Sequence, residues 1–224
     1  MIDLLFINMC SLKGVHPDTT RAIIREESGF HEWAMNINRP KDLDLNQERK
    51  AKFDGFVRKI KTNPPLSKSE ATILATQIIS AGFSVDIGMM QINSFNFKHY
   101  LLSVEDALDP CKNIRIGTEI LKRFYDRAEQ KMGPGQATLK AALSAYNTGN
   151  YSAGFQNGYV AKYYGGKLIK QTSYDADILV QNNSSEGEIN GNDQSDITTG
   201  TPQRRGNSID ASIGEGSGQS NPDF

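Results

Sequence analysis

The sequence predicts an α+β fold that is mostly α-helical, with an apolar N-terminal segment over residues 1–14, one folded domain over 15–170 and a disordered tail over 171–224. Three observations predict it. Apolar residues recur at helical spacing through several long runs. Those runs open on capping residues or proline and close on glycine. From about Gln171 the composition turns to Asn, Ser, Gly, Asp and Gln, as in Asn182-Asn183-Ser184-Ser185, and such a chain buries too little apolar surface to offset its ordering entropy.

The N-terminal run is apolar around Leu4, Leu5, Phe6 and Ile7 but carries no basic residue through Cys10, and it is too short to span a bilayer. Two readings stay open: an atypical export signal, or a first helical turn packed on the core. The next helix opens at His16-Pro17, where proline loses no bond because the first N–H of a helix has no partner. Ile23 and Ile24 continue it, and Gly29 after Ser28 accepts the left-handed backbone that ends helices. The charged stretch Lys41 to Lys61 reads as a surface excursion with some helix around Phe53, Phe56, Val57 and Ile60. Ser67 caps a helix to Ala81, with Glu70 as its reciprocal partner and Ile73, Leu74 and Ile78 as its apolar stripe. A further helix covers Asn113 to Met132 and is broken by Gly133-Pro134-Gly135. Ala137 to Tyr146 is the last firm helix, its small residues Ala141, Ala142 and Ala145 admitting a close neighbour.

A formal net charge of -1 provides no broad basic field, so nucleic acid is not expected as a partner. No stable membrane span is expected either. Cys10 and Cys111 lack the clustered spacing of a zinc site, so neither metal nor cofactor is expected. In an oxidising compartment one disulfide between them would close a loop of about 100 residues, stabilising the fold by about 4 to 5 kcal/mol. Two buried thiols fit the composition equally well.

Three segments carry candidate chemistry. In Arg25-Glu26-Glu27-Ser28-Gly29-Phe30, Ile23 and Ile24 lie four and three positions before Glu27 and flank it on the helix surface. A carboxyl held against apolar surface favours the protonated form that a general acid needs. In Asp86-Ile87-Gly88-Met89-Met90-Gln91-Ile92-Asn93, the amides of Gln91 and Asn93 offer donors and acceptors for sugar hydroxyl and acetamido groups, and the methionines offer adaptable apolar contact. A buried strand whose amides satisfy neighbouring backbone is the plainer reading. In Ala145-Tyr146-Asn147-Thr148-Gly149, a tyrosine at a helix end is placed to hydrogen-bond a carboxyl and hold its rotamer; a core tyrosine before a turn explains it equally.

In this order and spacing the three segments resemble the lytic transglycosylase (SLT) family with the goose-lysozyme-like fold. The closer resemblance is to its VirB1-like branch, through Val15-His16-Pro17, Glu27-Ser28-Gly29-Phe30 and Asp109-Pro110-Cys111-Lys112-Asn113 leading to Gly117. The resemblance covers about residues 10 to 165. It implies Glu27 as the single catalytic acid/base, followed by Ser28, with Gly88, Met90 and Gln91 against the glycan and Tyr146 and Asn147 in the final motif. It also implies peptidoglycan strands as substrate, a 1,6-anhydromuramyl product, components of a type IV secretion or conjugation machine as partners, and a periplasmic location. The stretch from Arg39 to Lys68 exceeds the family pattern, so an extra surface element is expected there. Two rivals remain: a lysozyme-type hydrolase pairing Glu27 with Asp86, and a non-catalytic murein-binding module.

Overall fold

The protein was analysed as a computed structural model, which describes residues 2–164. The expected tail over 171–224 and the expected domain end at 170 lie outside the described residues.

Asp3 opens the first helix, α1 (Leu4–Cys10), by accepting from the Phe6 amide. Its Ile7 and Cys10 are buried against the core. Helix α2 (Pro17–Ser28) is capped by His16 and ends at Gly29 with φ 57°. Strand β1 (Met35–Ile37) follows. The excursion expected as partly helical is one continuous helix, α3 (Gln47–Thr62), which buries Phe53 and leans Phe56, Val57 and Ile60 on the core.

Helix α4 (Lys68–Ser80) starts where Ser67 Oγ accepts the Glu70 amide, but the Glu70 carboxylate reaches past the cap to the Leu66 amide. Its apolar stripe also differs from expectation. Ile73 is 54% exposed, and Ala71, Leu74, Ala75 and Ile78 form the buried face. Leu74 and Ile78 are buried as expected, and Ala71 and Ala75, at helical spacing from them, take the remaining buried positions in place of Ile73.

Strands β2 (Val85–Ile87) and β3 (Ile92–Asn93) complete an antiparallel sheet in the order β1-β2-β3, with Met35 opposite Ile87 and Asp86 opposite Asn93. Helix α5 (Val104–Ala107) opens on a capping box between Ser103 and Asp106. Helix α6 (Pro110–Met132) begins three residues before the expected start, because Asp109 caps it and Pro110 occupies its first turn. Helices α7 (Gln136–Thr148), α8 (Ala153–Gln156) and α9 (Tyr159–Tyr164) finish the described chain.

Two apolar cores flank α6. One packs α3, α4 and the sheet, with Ile116 and Ile120 of α6 leaning on it. The other gathers Ile7, Cys10, Ile23, Ile24, Met89, Met90, Ile114, Leu121, Leu143, Tyr159 and Tyr163. Cys10 and Cys111 are joined as a disulfide, tying α1 to α6 across 101 residues. The β2–β3 turn is the one part of the sheet hairpin that enters the second core, and this brings the glycine-methionine segment to the helix that carries Glu27.

Candidate active site

Glu27 sits in the last turn of α2, half-buried, while Ile23 and Ile24 of the preceding turn are fully enclosed. Its Oε1 accepts a hydrogen bond from the Tyr159 hydroxyl at 2.7 Å, and Tyr159 in turn accepts one from the Tyr163 hydroxyl at 2.8 Å. Both rings are buried and pack edge to face. Burial, and then the charge of Glu27, push both phenols well above their ordinary range. They therefore remain protonated donors at neutral pH, and the chain of hydroxyls fixes the position of Oε1.

This pair was not found by reading the sequence, although a signal existed. Tyr159 and Tyr163 are four residues apart, which puts both hydroxyls on one helix face. The short α9 after Asn157-Gly158 carries too few apolar positions to stand out as periodic.

The glycine-methionine segment forms the β2–β3 turn. Gly88 takes φ 79°, and a side chain there would place its Cβ 2.2 Å from Asn113 Nδ2 and 2.8 Å from the Ala107 carbonyl oxygen. Glycine is therefore required both by the backbone and by the close approach of α6. Asn113, almost fully buried, clamps the turn: its Oδ1 accepts from the Met90 amide at 2.7 Å, and its Nδ2 donates to the carbonyls of Ile87 at 3.0 Å and Ala107 at 2.7 Å. Met90 then packs over Gly117, where an added Cβ would lie 2.6 Å from the methionine sulfur. The spacing from Asp109 through Asn113 to Gly117 is thus explained by a single task, seating this turn on α6.

The candidate sugar-gripping amides face inward. Gln91 Nε2 donates to the carbonyls of Ala34 and Gly88 at 3.0 and 2.9 Å, and Asn93 Nδ2 donates to Asp86 at 2.8 Å while its Oδ1 takes the Phe95 amide. Both residues are buried. Gln91 has φ 48° and Phe30, just beyond Glu27, has φ 68°. Both are non-glycine residues in the left-handed region, each a strain of order 1–3 kcal/mol. Asp86 is 0% exposed on the central strand.

The third segment enters from α7. Tyr146 donates its hydroxyl to the Met90 carbonyl at 2.7 Å, so it braces the turn. Tyr159 donates to Glu27. Asn147 is buried and accepts from Asn157 at 3.0 Å, linking α7 to the loop before α9. Ser28 bonds back to the Ile24 carbonyl at 2.9 Å and so belongs to the helix end. Among the described residues no cluster of His, Cys, Asp and Glu is arranged to hold a metal ion. No described helix is long and apolar enough to cross a membrane.

Residues 5–168 match the family described as the transglycosylase SLT domain. The chain is 32% identical over 157 residues to the type IV secretion system protein virB1 of Brucella abortus biovar 1 (strain 9-941), a match covering 70% of this chain and 58% of that protein. It is 38% identical over 148 residues to the protein virB1 of Agrobacterium fabrum (strain C58), covering 66% of this chain and 52% of that protein. The chain thus spans less than two thirds of the length of these relatives. No solved structure matches it.

Proposed function

This chain belongs to the transglycosylase SLT domain family, and from that membership we propose that it cleaves the β-1,4 bond between N-acetylmuramic acid and N-acetylglucosamine in peptidoglycan, with Glu27 as its one catalytic carboxylate. Protonated Glu27 donates to the glycosidic oxygen as the bond breaks. The muramyl 2-acetamido carbonyl stabilises the oxocarbenium-like carbon from within the substrate. Glu27, now a carboxylate, takes the proton of the muramyl 6-hydroxyl, which closes the 1,6-anhydro ring without water. One group serves as acid and then base.

The observation that carries this reading is the tyrosine-held carboxylate at the end of α2, with Asp86 fully enclosed in the sheet. A hydrolytic glycosidase needs a second carboxylate to activate water or attack the sugar. An aspartate without exposed surface is badly placed for either task, which supports the route that dispenses with one. Gly88, Met90, Gln91 and Asn93 enter the proposal as the sugar-site segment through the backbone of their turn, which Asn113 holds at Met90 and Ile87, since the side chains themselves are buried. Tyr146 holds that turn in place, and Asn147 ties α7 to the loop before α9, which carries Tyr159.

The names of the relatives extend the proposal to a setting: local opening of the wall, in the periplasm, for a type IV secretion or conjugation machine. The test is digestion of isolated murein with the wild type and Glu27→Gln, followed by mass spectrometry of the fragments. Anhydro ends from the wild type and a loss of 10²- to 10⁴-fold in the variant are expected. Reducing ends would point to a hydrolase, and an active Glu27→Gln would remove the catalytic assignment.

A further inference from the structure

The geometry points to the Cys10–Cys111 disulfide as a thiol–disulfide exchange site, with an apolar groove that docks a protein carrying a Cys-x-x-Cys dithiol and with mechanical coupling to the helix that bears Glu27. The disulfide forms part of the wall of a cavity of about 450 Å³ lined by Met9, Leu101, Leu102, Lys112 and Arg115. The two sulfur-bearing residues are unequal. Cys10 is buried and Cys111 is exposed, so an incoming thiolate reaches Cys111 first.

The rim is built for a protein rather than for water. Leu101 is 89% exposed and holds φ 52°, so the chain bears both backbone strain and an unburied leucine at one position. Met9 opposite it is 67% exposed. Together they offer an apolar seat directly beside the sulfur pair, and that coincidence is what commits the occupant to a dithiol protein. Arg115 adds positive charge near the sulfurs, the charge of Lys112 being offset by its ion pair with Asp106 on the same wall, and this favours thiolate over thiol as the bond opens.

The exchange balances as two displacements. A thiolate of the partner attacks Cys111 Sγ, the S–S bond breaks, and Cys10 leaves as thiolate. The partner's second thiolate then attacks its own sulfur in the mixed disulfide, forming the partner's disulfide and releasing Cys111. Two electrons pass from the dithiol to the chain, and the two protons it gives up are taken by Cys10 and Cys111.

Coupling follows from packing. Ile7 and Cys10 of α1 share a core with Ala22, Ile23 and Ile24 of α2, and Ser11 Oγ lies 3.2 Å from Thr20 Oγ1. Opening the disulfide removes the covalent tie between α1 and α6 while the Leu12 amide still donates to Thr118 Oγ1 and the two helices keep their shared core, so α1 gains freedom without detaching and the turns of α2 packed on it loosen.

The test uses the oxidised full chain without denaturant, reduced either by dithiothreitol or by reduced thioredoxin as the dithiol protein. Readouts are alkylated mass, helical circular dichroism and amide hydrogen exchange in α2. We expect both reagents to open the bond, the helical signal to persist, and α2 amides to exchange at least tenfold faster after reduction. Leu101→Asp should slow thioredoxin at least tenfold and leave dithiothreitol unchanged. Reduction that needs denaturant, unfolding on reduction, unaltered α2 exchange, or a Leu101→Asp effect on both reagents or on neither would each overturn the proposal. So would a concentration-dependent dimer, seen by sedimentation and lost in Leu101→Asp, because it would assign the groove to a second copy. None of these readouts requires wall cleavage, so the outcome stands apart from that of Glu27→Gln.

Discussion

A carboxyl group that must deliver a proton and then recover one needs a fixed position more than it needs a strong field. If Glu27 has the proposed role, Tyr159 supplies that position by donating to its Oε1, and Tyr163 supports Tyr159. Tyr159→Phe removes one hydroxyl from a buried ring and leaves the packing intact. We expect murein cleavage to fall roughly 10- to 100-fold in kcat with KM little changed, as befits misplacement of a reacting group. Steady-state turnover of a defined glycan strand would check it, and unchanged kcat would mean that the rotamer is held by other contacts. The place of Glu27 at the end of α2, after two large isoleucines and before a glycine, was legible in the sequence, whereas its proposed role comes from the family resemblance. Tyr159 was not legible, because a hydroxyl that reaches across 132 residues leaves no local periodicity to read.

Elements seat the residues, and here the turn between β2 and β3 depends on one side chain of α6. Asn113→Ala would strip partners from the Met90 amide and from the Ile87 and Ala107 carbonyls, all in buried surroundings. Leaving such groups unpaired costs about 1–3 kcal/mol each, less whatever relaxation recovers. We expect a loss of about 3 kcal/mol and a melting temperature lower by about 10 °C, measured by thermal circular dichroism. A second element junction is sensitive to acid. The hydrogen bond from Lys112, and then those from the Ser103 amide and hydroxyl, hold Asp106 well below the usual carboxylate range. Because the folded value is depressed, the stability it contributes is full at neutral pH and is lost as pH falls below the unfolded value. The melting gap between wild type and Asp106→Asn should therefore narrow as pH drops from 5 toward 2; a constant gap would show that the charge of Asp106 contributes nothing. Pro17 and the Ser67 cap made the starts of α2 and α4 readable to within a residue, and the Gly133-Pro134-Gly135 break did the same for α7. The buried face of α4, Ala71, Leu74, Ala75 and Ile78, does follow helical spacing and was missed because Ile73 outweighs the two alanines when apolar size is what the eye follows.

For the whole molecule, a net charge of -1 conceals an uneven distribution. Of 25 basic and 26 acidic residues, positions 165–224 hold four and nine, which leaves 21 and 17 for positions 1–164. The first part therefore carries +4 and the remainder -5. Reading the total alone suggested a chain indifferent to anions, whereas the part that contains the candidate site has the opposite sign to the carboxylates of peptidoglycan stem peptides. Attraction between surface charges is screened over about 10 Å at 0.1 M salt, so its signature is a dependence on ionic strength. Replacing the nine acidic residues of 165–224 by their amides should strengthen sedimentation with murein sacculi at low salt, and the difference from wild type should vanish as salt approaches 1 M. If the variant binds no more tightly at low salt, the acidic stretch does not compete with the wall for the positive domain, and its charge serves another end.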